Sequence, residues 1–238
     1  MVGSSNKNSL FKPTILVAGL TSVSRVVGLI RDVLISNVLG VSYITDIFIV
    51  ALRIPNIFRR ITAEGAFSSA FIPMFSKKLT LNKVSAIKFS EDILFVSLIV
   101  MTLITSLLQI LMPFIIYFIA YGFTDDPVKF DLAINFSRIT APYILLISLS
   151  SIGIGILNSI GKYFASSFAP IIFNAVLVFI LLLPINNITS VGYLMSFGVI
   201  ISGIIQFLLV FYFLNKSGYI LNLKRPENLN LINKFSVV

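Results

Sequence analysis

The chain has 238 residues, 57% of them apolar and only 11% charged, with a mean hydropathy of +1.02. Soluble domains carry about 25% charged residues, so the composition excludes an ordinary globular domain and defines an integral membrane protein. The net charge of +9 does not point to nucleic acid, because the basic residues fall between or inside apolar segments and leave no soluble basic domain.

Six apolar segments follow one another, at about residues 10–40, 44–76, 92–119, 132–160, 168–184 and 189–214. The fold class expected is all-α, a polytopic membrane bundle of about six transmembrane helices. Lys7 and Lys12 precede the first run as in a signal peptide. That run reaches Arg25 without a small-residue cleavage site, so it reads as an uncleaved first span.

The first segment carries Arg25, Arg31 and Asp32 near its middle. Each such charge costs about 2.5–3.5 kcal/mol at the centre of a spanning helix. At 100° per residue, Thr21, Arg25, Gly28, Asp32 and Ser36 form one stripe, with Ser24 and Arg31 on its flank. The stripe must face a polar cavity or other charges. Gly28 lies between the two arginines, where a helix can bend or admit close approach, and is the first candidate hinge.

The second segment is the least regular. Asp46, Arg53 and Arg60 are spaced by seven and Glu64 follows Arg60 by four, so these four are expected on one face, with Arg60 and Glu64 able to pair. Pro55 loosens the backbone just after Arg53 and is the second candidate hinge. Arg59 points elsewhere and is free to snorkel. The two segments together carry Arg25, Arg31, Arg53, Arg59 and Arg60 against Asp32, Asp46 and Glu64. A cavity so lined attracts anions, and the planar guanidinium fork suits phosphate. The plain alternative is that these charges neutralise one another and hold helices together.

The third and sixth segments are uncharged cores. The fourth has Arg138 near one end, expected as an interfacial anchor, and Pro142 a turn later. The fifth begins near Pro170, and Pro142, Pro170 and Asn174 read as features of helix shape. Eleven basic residues lie at the termini and in alternate loops, against Lys129 alone in the other loops. This places both termini in the cytoplasm. The expected division is a transmembrane unit over 1–214 and a cytoplasmic linker over 215–238. With no Cys and no His, thiolate chemistry, zinc sites and a His base are removed. No motif for covalent catalysis, metal or cofactor is present, so an enzyme is the least supported class.

Four stretches carry a family resemblance: SRVVGLIRD (24–32), TDIFIVALRIPNIFRRITAEGAFSSAFIP (45–73), APYILLIS (141–148) and FAPIIFN (168–174). They resemble the MurJ (MviN) family, bacterial lipid II flippases of the multidrug/oligosaccharidyl-lipid/polysaccharide exporter superfamily. The match runs in order along essentially the whole chain, and NIFRRITAEGAF is its most specific part.

The resemblance implies a flippase that carries undecaprenyl-pyrophosphoryl-disaccharide-pentapeptide from the inner to the outer leaflet of the bacterial inner membrane, for peptidoglycan assembly. It implies essential arginines at Arg25, Arg31 and Arg59, with Arg60 beside the last. Asp32, Asp46 and Glu64 match acidic positions of the same motifs, and Arg53 stands where relatives carry a cation. It also implies about fourteen spans in two lobes, so a missing C-terminal lobe is an expected partner, besides the lipid substrate and membrane lipids. The competing readings are a related polysaccharide-lipid or drug exporter and an inactive or structural membrane remnant. A cation-coupled drug site would favour acids over arginines, the reverse of the balance here.

Overall fold

The computed structural model describes residues 7–61 and 66–223, with side chains from 13 to 61 and 68 to 223. Its elements are α1 (Lys7–Val38), α2 (Tyr43–Arg59), α3 (Ala66–Leu81), α4 (Lys83–Ile119), α5 (Pro127–Thr140), α6 (Tyr143–Ser159), α7 (Phe164–Leu181) and α8 (Ile188–Lys216). The all-α expectation holds. Five helical stretches among the described residues are long and apolar enough to cross a membrane.

Two of the expected segments comprise two helices each. The second is built as α2 and α3, which have different neighbours: α2 packs on α5, α6 and α8, and α3 on α4 and α6. α2 has 17 residues, at the lower limit for a span, and carries Asp46, Arg53 and Arg59. The fourth segment is α5 and α6, joined by a turn at Ala141–Pro142, and together they make one candidate span, Pro127–Ser159.

Prolines tie the bundle together. Pro55 lies within α2 and has no N–H for the carbonyl of Ala51, one turn back. The Thr140 hydroxyl of α5 donates to that carbonyl at 3.1 Å. Pro113 within α4 likewise leaves the Gln109 carbonyl without its helical donor, and Pro142 does the same to the carbonyl of Arg138. The two deficits cancel across the α4–α5 contact: Arg138 Nε donates to Gln109 O at 3.2 Å, and Gln109 Nε2 donates to Arg138 O at 2.8 Å. Where no water reaches a backbone carbonyl, another helix must supply the donor. Arg138 therefore ties α4 to α5. Pro55 is an attachment point between α2 and α5.

Two apolar clusters fill the interior. One gathers α2, α4, α5, α6, α7 and α8 around Ile44, Phe48, Ile116, Phe136, Ile144 and Leu177. The other gathers α3, α4, α6 and α8 around Phe71, Phe75, Phe89, Ile152 and Val210. The described start of the expected linker folds back onto the second cluster. Tyr219 is buried against Phe75, and the Asn222 N–H and Nδ2 donate to Glu91 Oε1 at 2.7 and 3.2 Å.

Candidate substrate cavity

The first helix stands apart from this interior. Although α1 and α2 are consecutive and joined by a short turn, they scarcely touch; α1 packs chiefly on α7. The space left between them is a cavity of about 750 Å³, floored by α6, α7 and α8. Arg25, Arg31 and Asp32 line it from α1, and Arg59 and Arg60 from α2. Among the described residues, four arginines against one aspartate leave its lining with a net charge of +3.

Arg31 is the most constrained of these. Its Nε and Nη2 both donate to Asp32 Oδ1, at 2.9 and 2.7 Å, and its Nη1 donates to Asn174 Oδ1 at 2.7 Å. Asn174, in α7 and buried, also donates from Nδ2 to the Ser24 carbonyl of α1 at 3.3 Å. This junction explains Gly28. A Cβ there would lie 3.3 Å from Asn174 Nδ2, tighter than an ordinary contact, so the glycine lets α7 come close enough to hold Arg31. The helix runs unbroken through Gly28.

Arg25 and Arg60 are exposed, and among the described residues neither has a hydrogen-bond acceptor. They point donors into the cavity with no acceptor for them among the described residues. Arg59 is half-buried. Beside these cations Leu29 is 65% exposed, so apolar surface adjoins the charged lining. A ligand with an anionic head and a lipid tail matches that juxtaposition.

The structure redistributes the residues of α2. Leu52, Asn56, Arg59 and Arg60 face the central cavity. Arg53 and Asp46 line a separate recess of about 340 Å³ with Phe123 and Lys129. There Lys129 Nζ donates to Asp46 Oδ2 at 3.2 Å and sits 4.1 Å from the centre of the Phe123 ring. Arg53 is thus not with Arg25 and Arg31, and Asp46 is not an acid of the large cavity. Arg59, expected to point away, is in the large cavity. The seven-residue spacing carries Arg53 and Arg60 to similar angles but about 10 Å apart along the axis, and packing on α5 separates the two levels. Glu64 lies outside the described residues.

Sequence reasoning missed Asn174, Asn158 and Gln206, all of which line the cavity. The signal was available: an amide in an otherwise apolar membrane helix is costly unless something bonds it.

An all-helical apolar bundle with a cation-rich cavity at one edge defines a polytopic membrane protein of the transporter class. The chain belongs to the lipid II flippase MurJ family, whose model matches residues 35–236. It is 38% identical over 224 residues to a probable lipid II flippase MurJ of Rhizobium meliloti (strain 1021), covering 92% of this chain and 42% of that protein. It is 34% identical over 201 residues to lipid II flippase MurJ of Burkholderia cenocepacia, covering 84% and 39%. Among solved structures it is similar to lipid II flippase MurJ in an inward closed conformation, with a TM-score of 0.71 and 29% identity over 93% of this chain and 45% of that one. The chain therefore spans less than half the length of these relatives.

Proposed function

We propose that this chain forms the N-terminal, cavity-bearing lobe of a lipid II flippase. It moves the undecaprenyl-pyrophosphate-linked precursor from the inner to the outer leaflet by alternating access against a second lobe. Residues 1–214 form the transmembrane lobe, and 215–238 lead toward the second. The protein is a transporter of the bacterial inner membrane and performs no covalent chemistry.

One observation carries the reading: four arginines from two helices converge on one cavity with a single aspartate among its described lining residues. Arg25 and Arg60 offer open guanidinium forks to the pyrophosphate. Arg31, held by Asp32 and Asn174, offers the remaining N–H groups of a fixed fork. The polyprenyl tail stays against the exposed apolar flank of α1. A simple mutual neutralisation of charges would have paired Arg25, and it has no partner among the described residues.

The test is a titration of undecaprenyl pyrophosphate onto the full chain in nanodiscs. Arg31→Ala is expected to weaken binding about a hundredfold, ~2.7 kcal/mol, because a charge-assisted fork is lost. Unchanged affinity contradicts the reading. Orientation is checked separately, since the chain has no native Cys. A cysteine at Thr124 should react with an impermeant thiol reagent from outside intact cells, and one at Lys83 should not.

A further inference from the structure

Gln206 is an amide in the middle of the long apolar helix α8, more than two turns before Asn215 at the helix end. It is 2% exposed, it lies on the floor of the central cavity, and its Nε2 has no hydrogen-bond partner. The other buried side-chain atoms in that condition include the hydroxyls of Thr105, Ser137 and Ser148. A hydroxyl in a helix can turn back to the carbonyl three or four residues earlier. The longer glutamine side chain carries its amide away from its own backbone, so it depends on what the cavity brings.

The surrounding packing keeps Gln206 in place. One turn before it, a Cβ on Gly203 would lie 2.7 Å from Tyr143 Cδ2. One turn after it, Val210 Cγ1 fills the space above Gly153, at 2.5 Å from where a Cβ would be. α8 is therefore pressed onto α6 on both sides of Gln206. The amide itself can still turn, because its terminal torsion is soft, and turning exchanges its donor and acceptor ends.

A second amide lines the same cavity. Asn158 Oδ1 accepts from the Ser166 hydroxyl at 3.1 Å, and its Nδ2 has no acceptor among the described residues. Pro170, also at the cavity, has no N–H for the Ser166 carbonyl one turn back. These groups are neutral, and they sit on α6, α7 and α8, whereas the arginines sit on α1 and α2.

We infer that Gln206 and Asn158 form a second, uncharged subsite, which hydrogen-bonds hydroxyl or amide groups of the ligand's head while the arginines hold its phosphates. The inference rests on the reading of the cavity as the site of a pyrophosphate-linked lipid, and it deepens that reading. The cavity then has two zones: a cationic wall that any polyprenyl pyrophosphate satisfies, and a neutral floor that needs a sugar or peptide. The floor is what distinguishes a loaded carrier lipid from a bare one.

Two probes separate the zones: undecaprenyl pyrophosphate, and lipid II, which adds the disaccharide and peptide to the same pyrophosphate. Both are titrated onto the full chain in nanodiscs, with thermal unfolding followed in parallel. Gln206→Met keeps length and removes the amide. It is expected to weaken lipid II binding about tenfold while leaving undecaprenyl pyrophosphate within about twofold. Its thermal midpoint should stay level or rise, because an unsatisfied donor has been removed from an apolar setting.

Asn158→Ala should shift lipid II binding in the same direction by about threefold, and it decides the question if Gln206→Met fails to insert. Equal weakening of both probes, or a fall in the midpoint, makes Gln206 a packing residue and overturns the subsite. No change for either probe means that the amide serves a buried water only, and also overturns it. If the wild-type chain binds both probes equally, the subsite is wrong and the arginine reading stands. If it binds neither, both are wrong.

Discussion

The central cavity and the outer recess are both lined by charged residues of α2, yet they are built in opposite ways. In the recess, the acid has its base: Asp46 takes Lys129 across α2 and α5, and Lys129 also covers Phe123. Only Arg53 is left over. In the cavity, the one acid among the described lining residues is already taken by Arg31, and Arg25 and Arg60 have no acceptor among the described residues. A region that balances its own charge joins helices. A region that does not, inside an apolar bundle, keeps its excess for something that arrives.

The comparison can be broken most strongly at Arg25. Arg25→Glu reverses a charge that has no protein partner among the described residues, so it should cost little in folding. It should nevertheless reduce affinity for undecaprenyl pyrophosphate at least a hundredfold, on the order of 3 kcal/mol. Binding within a few-fold of wild type would put the excess charge to a structural use.

A smaller effect sharpens the picture at Arg31. Asn174→Leu keeps the side-chain volume but removes the bond to Nη1 and the tie to the Ser24 carbonyl. Affinity should fall about tenfold because the fork is no longer held. In an Arg31→Lys background the same change should do little, since a lysine has no fork to orient. Additive losses would show that Asn174 acts only by packing α1 on α7.

The smallest effect belongs to the interior. Thr140→Val removes the donor to the carbonyl that Pro55 leaves open and should lower stability by about 1 kcal/mol. Unfolding in mixed detergent micelles measures this. Ligand affinity should be unchanged, because the tie lies away from the cavity.

The stripe on α1 was legible because a helical period of 3.6 puts Arg25, Gly28 and Asp32 on one side whatever surrounds them. The face of α2 was not. Spacing by seven aligns Asp46, Arg53 and Arg60 with one another but says nothing of which neighbour each meets. Packing on α5 gives the upper pair to the recess and leaves Arg59 and Arg60 to the cavity. Pro55 and Pro142 were legible as disturbances of a helix; Pro113, inside an uncharged span, was not. That Thr140, Arg138 and Gln109 supply the missing donors depends on helices distant in sequence. Asn174 read as a feature of helix shape because its partner Arg31 lies 143 positions away.

The most direct test of the account is lipid II translocation in cells depleted of their own flippase, using a two-lobe protein whose first lobe is this chain. Arg25→Ala and Arg31→Ala should each abolish transport while membrane insertion persists, and Arg53→Ala in the outer recess should leave transport within about threefold of wild type. Transport that survives Arg25→Ala and Arg31→Ala but is lost in Arg53→Ala would contradict the assignment of the substrate to the central cavity.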